Sequence, residues 1–192
     1  MACSVFWHEE VVMSAECKEA EYREFDLVIR SEITVEASRA VVWGQINRLE
    51  QWKDSIHSLE HIAGMPGQAG DVVRIGQRRG ERVVYVTQET LAVQPERCKV
   101  EYLQTEGGSA TRGYIVYSLY AQASGTLVVC DLLLRAAVPA DQLAGKSLEQ
   151  ISELARTSTR EKLDSDHLVL KRLSENGQLS MMDVQGSGPG VS

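Results

Sequence analysis

His57 and His61 stand four residues apart behind the tryptophan pair of "VVWGQINRLEQWKDSIHSLEHIAGMPGQAGD", residues 41–71. On a helix this spacing would put both imidazoles on one face, as in many metal pairs. In a strand it separates them by about 13 Å, and "SLEHIAGM" reads as a strand entering a sheet. No further His or Cys completes a ligand set, so neither a metal nor another cofactor is expected. The two histidines are then partly exposed corner residues, or one of them, His57, reaches the mouth of a site beside Trp52.

Two other patterns carry chemistry. "ADQLAGKS", residues 140–147, nearly matches a phosphate-binding loop, but the first glycine is Ala140. No parallel strand with an acidic residue follows, so Gly145 is simply a bend before a helix cap. For acid–base work, an arginine or tyrosine can hydrogen-bond a developing oxyanion while a carboxylate or histidine moves the proton. Tyr117, Asp166, Arg74 and His57 are the candidates, with Arg78 and Arg135 as further polar groups. Against Arg74 stands its alternation with Val73 and Ile75, which turns it to solvent.

The elements that must position these groups follow from pattern. The chain has 192 residues, 43% hydrophobic and 24% charged, with a net charge of −7, which fits one globular domain. An acidic balance without basic runs argues against nucleic acid as a partner. Cys3, Cys17, Cys98 and Cys130 form no CxxC and read as free thiols. The N-terminus has no secretory pattern and no run approaches about 20 apolar residues, so no integral membrane segment and a cytoplasmic location are expected.

Residues 1–22 form an unassigned flank. In "EFDLVIRSEITVEAS" apolar and polar residues alternate with period two, predicting a strand with one buried face. Ser38 caps a helix carrying Val42, Trp43, Ile46, Leu49 and Trp52, as one helix or as two joined near Arg48. Five strand-like runs follow the loop "GMPGQAG", separated by turn residues, and with the segment near His61 predict an antiparallel meander. Ser147 and Gln150 form a capping box, and Asn176-Gly177 supplies a stop. Between them lies a helix of roughly 40 Å, with Thr159 and Asp166 near the middle of its apolar side. The domain is expected over 23–176, with a disordered tail over 177–192.

"ITVEASRAVVWGQINRLEQWKDSI", "GMPGQAGDVVRIG" and "SGTLVVCDLLL" together resemble the START/Bet v 1-like (SRPBCC) superfamily, and within it the bacterial polyketide cyclase/dehydratase and lipid-transport group. The resemblance covers roughly residues 28–173. It implies an α+β helix-grip fold: a curved antiparallel sheet of six or seven strands wrapped around a long C-terminal helix, with two short helices after the first strand. It also implies a cavity between sheet and helix, which two phenylalanines in the whole chain would do little to fill.

With inward faces continuing the apolar alternation, the cavity wall comprises Val73, Ile75, Val100, Tyr102, Ile115, Tyr117, Leu119, Val128, Cys130 and Leu132, joined by Trp52 and, from the long helix, Leu148, Ile151 and Ala155. A one-residue slip would exchange inner and outer sets. The expected function is binding of an apolar molecule such as a lipid, isoprenoid or polyketide. The alternatives are a polyketide cyclase/dehydratase acting on an enclosed substrate, and an interaction module in which Leu127, Val129 and Leu133 form an outer strip suited to a homodimer.

Overall fold

The computed structural model describes residues 22–106 and 111–186. In chain order it contains β1 (Tyr22–Val35), α1 (Arg39–Ile46), α2 (Leu49–Trp52), β2 (Ile56–Ala63), β3 (Val72–Arg79), β4 (Arg82–Gln94), β5 (Cys98–Thr105), β6 (Arg112–Gln122), β7 (Gly125–Pro139), a 3₁₀ turn at Ala140–Leu143, and α3 (Leu148–Gly186). The strands form one seven-stranded sheet in the order β1-β7-β6-β5-β4-β3-β2, every adjacent pair antiparallel. This is the expected helix-grip arrangement. The histidine segment is strand β2, as its pattern predicts.

The local signals behave as their chemistry requires. The Ser38 side chain accepts a hydrogen bond from the Val41 amide and starts α1. The turn breaks at Asn47–Arg48, leaving two short helices whose buried residues are Val42, Ile46, Leu49 and Trp52. At the start of α3 the Ser147 hydroxyl accepts from Gln150 N, and Ser147 N donates to Gln150 Oε1 at 2.9 Å, a reciprocal capping box.

Asn176-Gly177 does not stop the helix, because α3 runs on to Gly186. A Cβ added to Gly177 would sit 3.7 Å from Val41 Cγ1. The turn at Gly177 lies against α1 and keeps helical geometry despite the local stop signal. Residues 1–21, with Cys3 and Cys17, lie outside the described residues.

α3 packs along β1, α1 and α2. Its buried stripe is Leu163, Asp166, His167, Leu170 and Ser174, the i, i+3, i+4 spacing of a single face. Lys171 Nζ donates to the Thr34 carbonyl at 2.9 Å and the Glu36 amide donates to Glu175 Oε1 at 2.9 Å, fixing the helix to the end of β1. The core on the sheet side consists of Ile29, Val35, Ile75, Ile115, Tyr117, Leu119, Val128, Cys130 and Leu132.

Candidate functional site

Directly opposed residues of antiparallel strands point to the same face, so the register defines the concave side. One row runs Ser31–Cys130–Tyr117–Lys99 across β1, β7, β6 and β5. The next runs Ile29–Leu132–Ile115–Glu101–Thr90 and reaches β4. All nine residues are buried. Each row is apolar through its middle and polar toward β4 and β5, where Gln88, Thr90, Lys99, Glu101 and Thr105 are buried as well. The concave core is therefore amphipathic.

The polar end is an ion pair. Lys99 Nζ lies 2.5 Å from Glu101 Oε1, with the two side chains only 5% and 1% exposed. Burying two charges costs several kcal/mol per ion, and mutual attraction offsets this only when the remaining hydrogen-bonding capacity is used. It is not: Glu101 Oε2 is buried with no hydrogen-bond partner. Trp52 Nε1 and the Tyr117 hydroxyl are among the other buried polar atoms without a hydrogen-bond partner. Their rings meet edge to face with centroids 6.2 Å apart. The Cys130 thiol beside Tyr117 is a weak partner at best. Burial pushes the Tyr117 hydroxyl well above its usual range, reinforced by Cys130, Glu101 and Asp166, and burial pushes the Cys130 thiol up to about 12. Both groups stay protonated.

Three consecutive residues close this region. Trp52 packs on Tyr117, Lys53 places its ammonium 5.0 Å from the Trp52 ring centroid, and Asp54 pairs with Lys162 of α3. Lys162 also holds Asp166 at 2.5 Å. Burial raises the Asp166 carboxyl while Lys162 opposes the rise. Lys162 is itself raised, because the hydrogen bonds it donates to Asp166 and Asp54 outweigh its partial burial. Closure is tight enough that the Trp52, Tyr117 and Glu101 polar atoms have essentially no accessible surface.

A second polar cluster, with Ser31 and His167 buried, lies under α3. The Ser31 hydroxyl donates to Asp164 Oδ1 at 2.5 Å and lies 2.9 Å from His167 Nδ1. The Nε2 of His167 has no partner, and burial lowers this imidazole to about 4. A groove of about 630 Å³ opens beside it, lined by Ser31, Ile33, Arg160, Asp164, His167 and Leu168 among others. Another, of about 460 Å³, lies on the convex side around Tyr102, Gly113, Tyr114 and Leu133.

The structure sorts the residues named from sequence. Val73, Ile75, Ile115, Tyr117, Leu119, Val128, Cys130 and Leu132 share the concave face, and Trp52 packs over it. Leu148, Ile151 and Ala155 are half-buried on the first turns of α3, short of its fully buried stripe. Val100 and Tyr102 require correction. They oppose Val116 and Tyr114 and point to the convex side, where the Tyr102 and Tyr114 rings meet at 5.4 Å. In "CKVEYLQT" the apolar set packs outside and Lys99 and Glu101 go inside, so apolar alternation selected the wrong face.

Among the catalytic candidates, Tyr117 and Asp166 are buried near one another, while Arg74 and His57 lie elsewhere. Arg74 is on the convex side, bidentate to Glu106 with its guanidinium carbon 4.1 Å from the Tyr85 ring centroid. His57 is exposed, 3.2 Å from Arg78. His61 is 3.2 Å from Asp71 at the next loop. Arg135 pairs with Asp26 on the outer face. The outer strip is also corrected: Leu133 is exposed but Val129 is only 6% exposed. Among the described residues, no group of three or more His, Cys, Asp or Glu is arranged to hold a metal ion, and no helix is long and apolar enough to cross a membrane.

Sequence reasoning missed Lys99, Glu101, Ser31, Asp164, His167 and Lys162. Only the helical spacing of Asp166 and His167 with Leu163 and Leu170 signalled that polar groups lie on the buried stripe.

No family model matches the chain, and no curated protein does. Solved structures do. A protein of unknown function from Staphylococcus aureus is 11% identical with a TM-score of 0.63, covering 80% of this chain and 96% of that one. The di-domain ARO/CYC StfQ from the steffimycin biosynthetic pathway is 10% identical with a TM-score of 0.58, covering 82% of this chain and 52% of the di-domain. Ara h 8.0201 is 15% identical with a TM-score of 0.50, covering 76% and 99%. The chain shares the helix-grip fold of these structures.

Proposed function

We propose that the protein binds an apolar small molecule, lipid, isoprenoid or polyketide-like, against the concave face of β5–β7 beneath the Trp52–Asp54 corner. The observation that carries this reading is that three buried polar atoms without a strong hydrogen-bond partner, Trp52 Nε1, Tyr117 Oη and Glu101 Oε2, border a continuous apolar wall. Folded proteins pair the great majority of their buried polar atoms, so several orphans in one cluster suit a site completed by a guest. Because the centre is closed, the guest enters by displacing the corner that Lys162 ties to α3. Affinity comes mainly from apolar burial, at about 25 cal/mol per Å² before ordering and desolvation costs. Native mass spectrometry of the purified protein tests the proposal. A co-purifying organic mass that disappears on denaturation supports it; a bare chain that also takes up no added apolar probe contradicts it.

A second reading, a polyketide cyclase/dehydratase, is favoured by Asp166, whose carboxyl is raised by burial close to Tyr117. A raised carboxyl exchanges protons nearer neutral pH, and StfQ is described as an ARO/CYC. Under this reading Asp166→Asn suppresses turnover of a polyketide substrate while ligand still binds. Equal turnover by the variant removes it.

A further inference from the structure

The concave face holds a buried charge pair that apolar binding alone does not use. We propose that Glu101, Trp52 and Tyr117, with Lys99 as counter-ion, form a polar terminus that selects apolar molecules bearing a neutral hydroxyl or phenol group. This inference rests on the binding function proposed above and specifies its ligand class.

The hydrogen-bonding inventory leads to this class. Glu101 Oε1 is occupied by Lys99 Nζ at 2.5 Å, and Oε2 remains as a buried acceptor. Trp52 Nε1 is a donor only; the Tyr117 hydroxyl both donates and accepts. Each of these three side chains is at most 1% exposed. Glu101 and Tyr117 sit on the same face one pleat apart, since Lys99 opposes Tyr117 and Glu101 opposes Ile115. Tyr117 in turn touches Trp52.

A group completing the set has to donate to a carboxylate and accept from an O–H or N–H. A hydroxyl does both. A ketone or ether only accepts and leaves Glu101 Oε2 unpaired. A carboxylate repels Glu101, and an ammonium repels Lys99. Burial keeps the Tyr117 phenol protonated, so its donor persists across the physiological range. Along the rest of the row, Ile115, Leu132 and Ile29 receive an apolar body.

The test uses 4-propylphenol and n-propylbenzene, which differ by one hydroxyl, titrated by NMR into the wild type and into the double variant Lys99→Met/Glu101→Met. Replacing both charges avoids leaving one buried alone. A hydrogen bond to an ionised group is worth about tenfold or more in affinity. The wild type is therefore expected to prefer the phenol by at least about tenfold, and the variant to lose most of that ratio. Should the double variant fail to fold, Trp52→Phe and Tyr117→Phe keep the ring bulk and read the same ratio. Equal wild-type affinity for both molecules, or a ratio unchanged in every variant, overturns the hydroxyl assignment alone. Binding of neither molecule overturns the binding function on which it rests.

Discussion

Tyr117 is the residue on which apolar wall and polar terminus meet: its ring packs on Trp52 while its hydroxyl sits buried without a strong partner. Removing an unsatisfied buried hydroxyl costs little. Tyr117→Phe is therefore expected to change unfolding free energy by no more than about 1 kcal/mol in urea denaturation, while lowering affinity for hydroxylated ligands. A large loss of stability would mean that the hydroxyl is paired. His167 makes a pH prediction. Its folded pKa of about 4 lies below the usual 6.5 because burial disfavours the cation and Lys53 adds to this, outweighing Asp164. Between those values the unfolded chain holds a proton that the folded chain does not, so stability falls as pH drops from about 6.5 to 4. The loss reaches about 3 kcal/mol. In His167→Gln this part of the slope disappears; identical slopes for wild type and variant would contradict the assignment. Residues of this kind were the least legible in the sequence. Nothing in "DSDHLVLK" distinguishes a buried His167 from a solvated one except its offset of three from Leu170. A strand segment with charges at 99 and 101 and apolar residues at 98, 100 and 102 fits either face until its neighbours fix the register.

Elements were far more legible, because each is set by local chemistry: the Ser38 and Ser147 caps and the period-two runs stand where the pattern puts them, and of the two forms left open for the first helical segment the structure has the one broken near Arg48. The failure at Asn176-Gly177 marks the limit, since the helix runs through this pair to Gly186. Two elements carry predictions. The α2 corner is clasped to α3 through Lys162, which pairs with both Asp54 and Asp166. Lys162→Met releases Asp54 and should accelerate ligand exchange in stopped-flow measurements by about two- to fivefold, the scale of one exposed ion pair. Unchanged exchange would place the entrance elsewhere. On the sheet, a Cβ at Gly113 would lie 2.0 Å from the Leu133 carbonyl oxygen, at a φ of 156°. Gly113→Ala forces β6 and β7 apart and should destabilise the protein by about 2–4 kcal/mol, read as a lowered denaturation midpoint.

At the scale of the whole molecule, the order of strands and helices was readable and the character of the interior was not. The resemblance implied an apolar cavity, whereas the concave side is closed at its centre and carries the Lys99–Glu101 pair beside an apolar wall. Alternation reports which residues share a face; a charge pair facing inward is visible only once β5 is registered between β4 and β6. The central claim is that this concave side receives an apolar guest. An amide NMR titration of isotope-labelled protein with 4-propylphenol tests it most directly. Saturable shifts concentrated at Trp52, Glu101, Ile115, Tyr117 and Cys130 are expected. Shifts confined to Tyr102, Tyr114 and Leu133 on the convex side, or no saturable shifts, would contradict it.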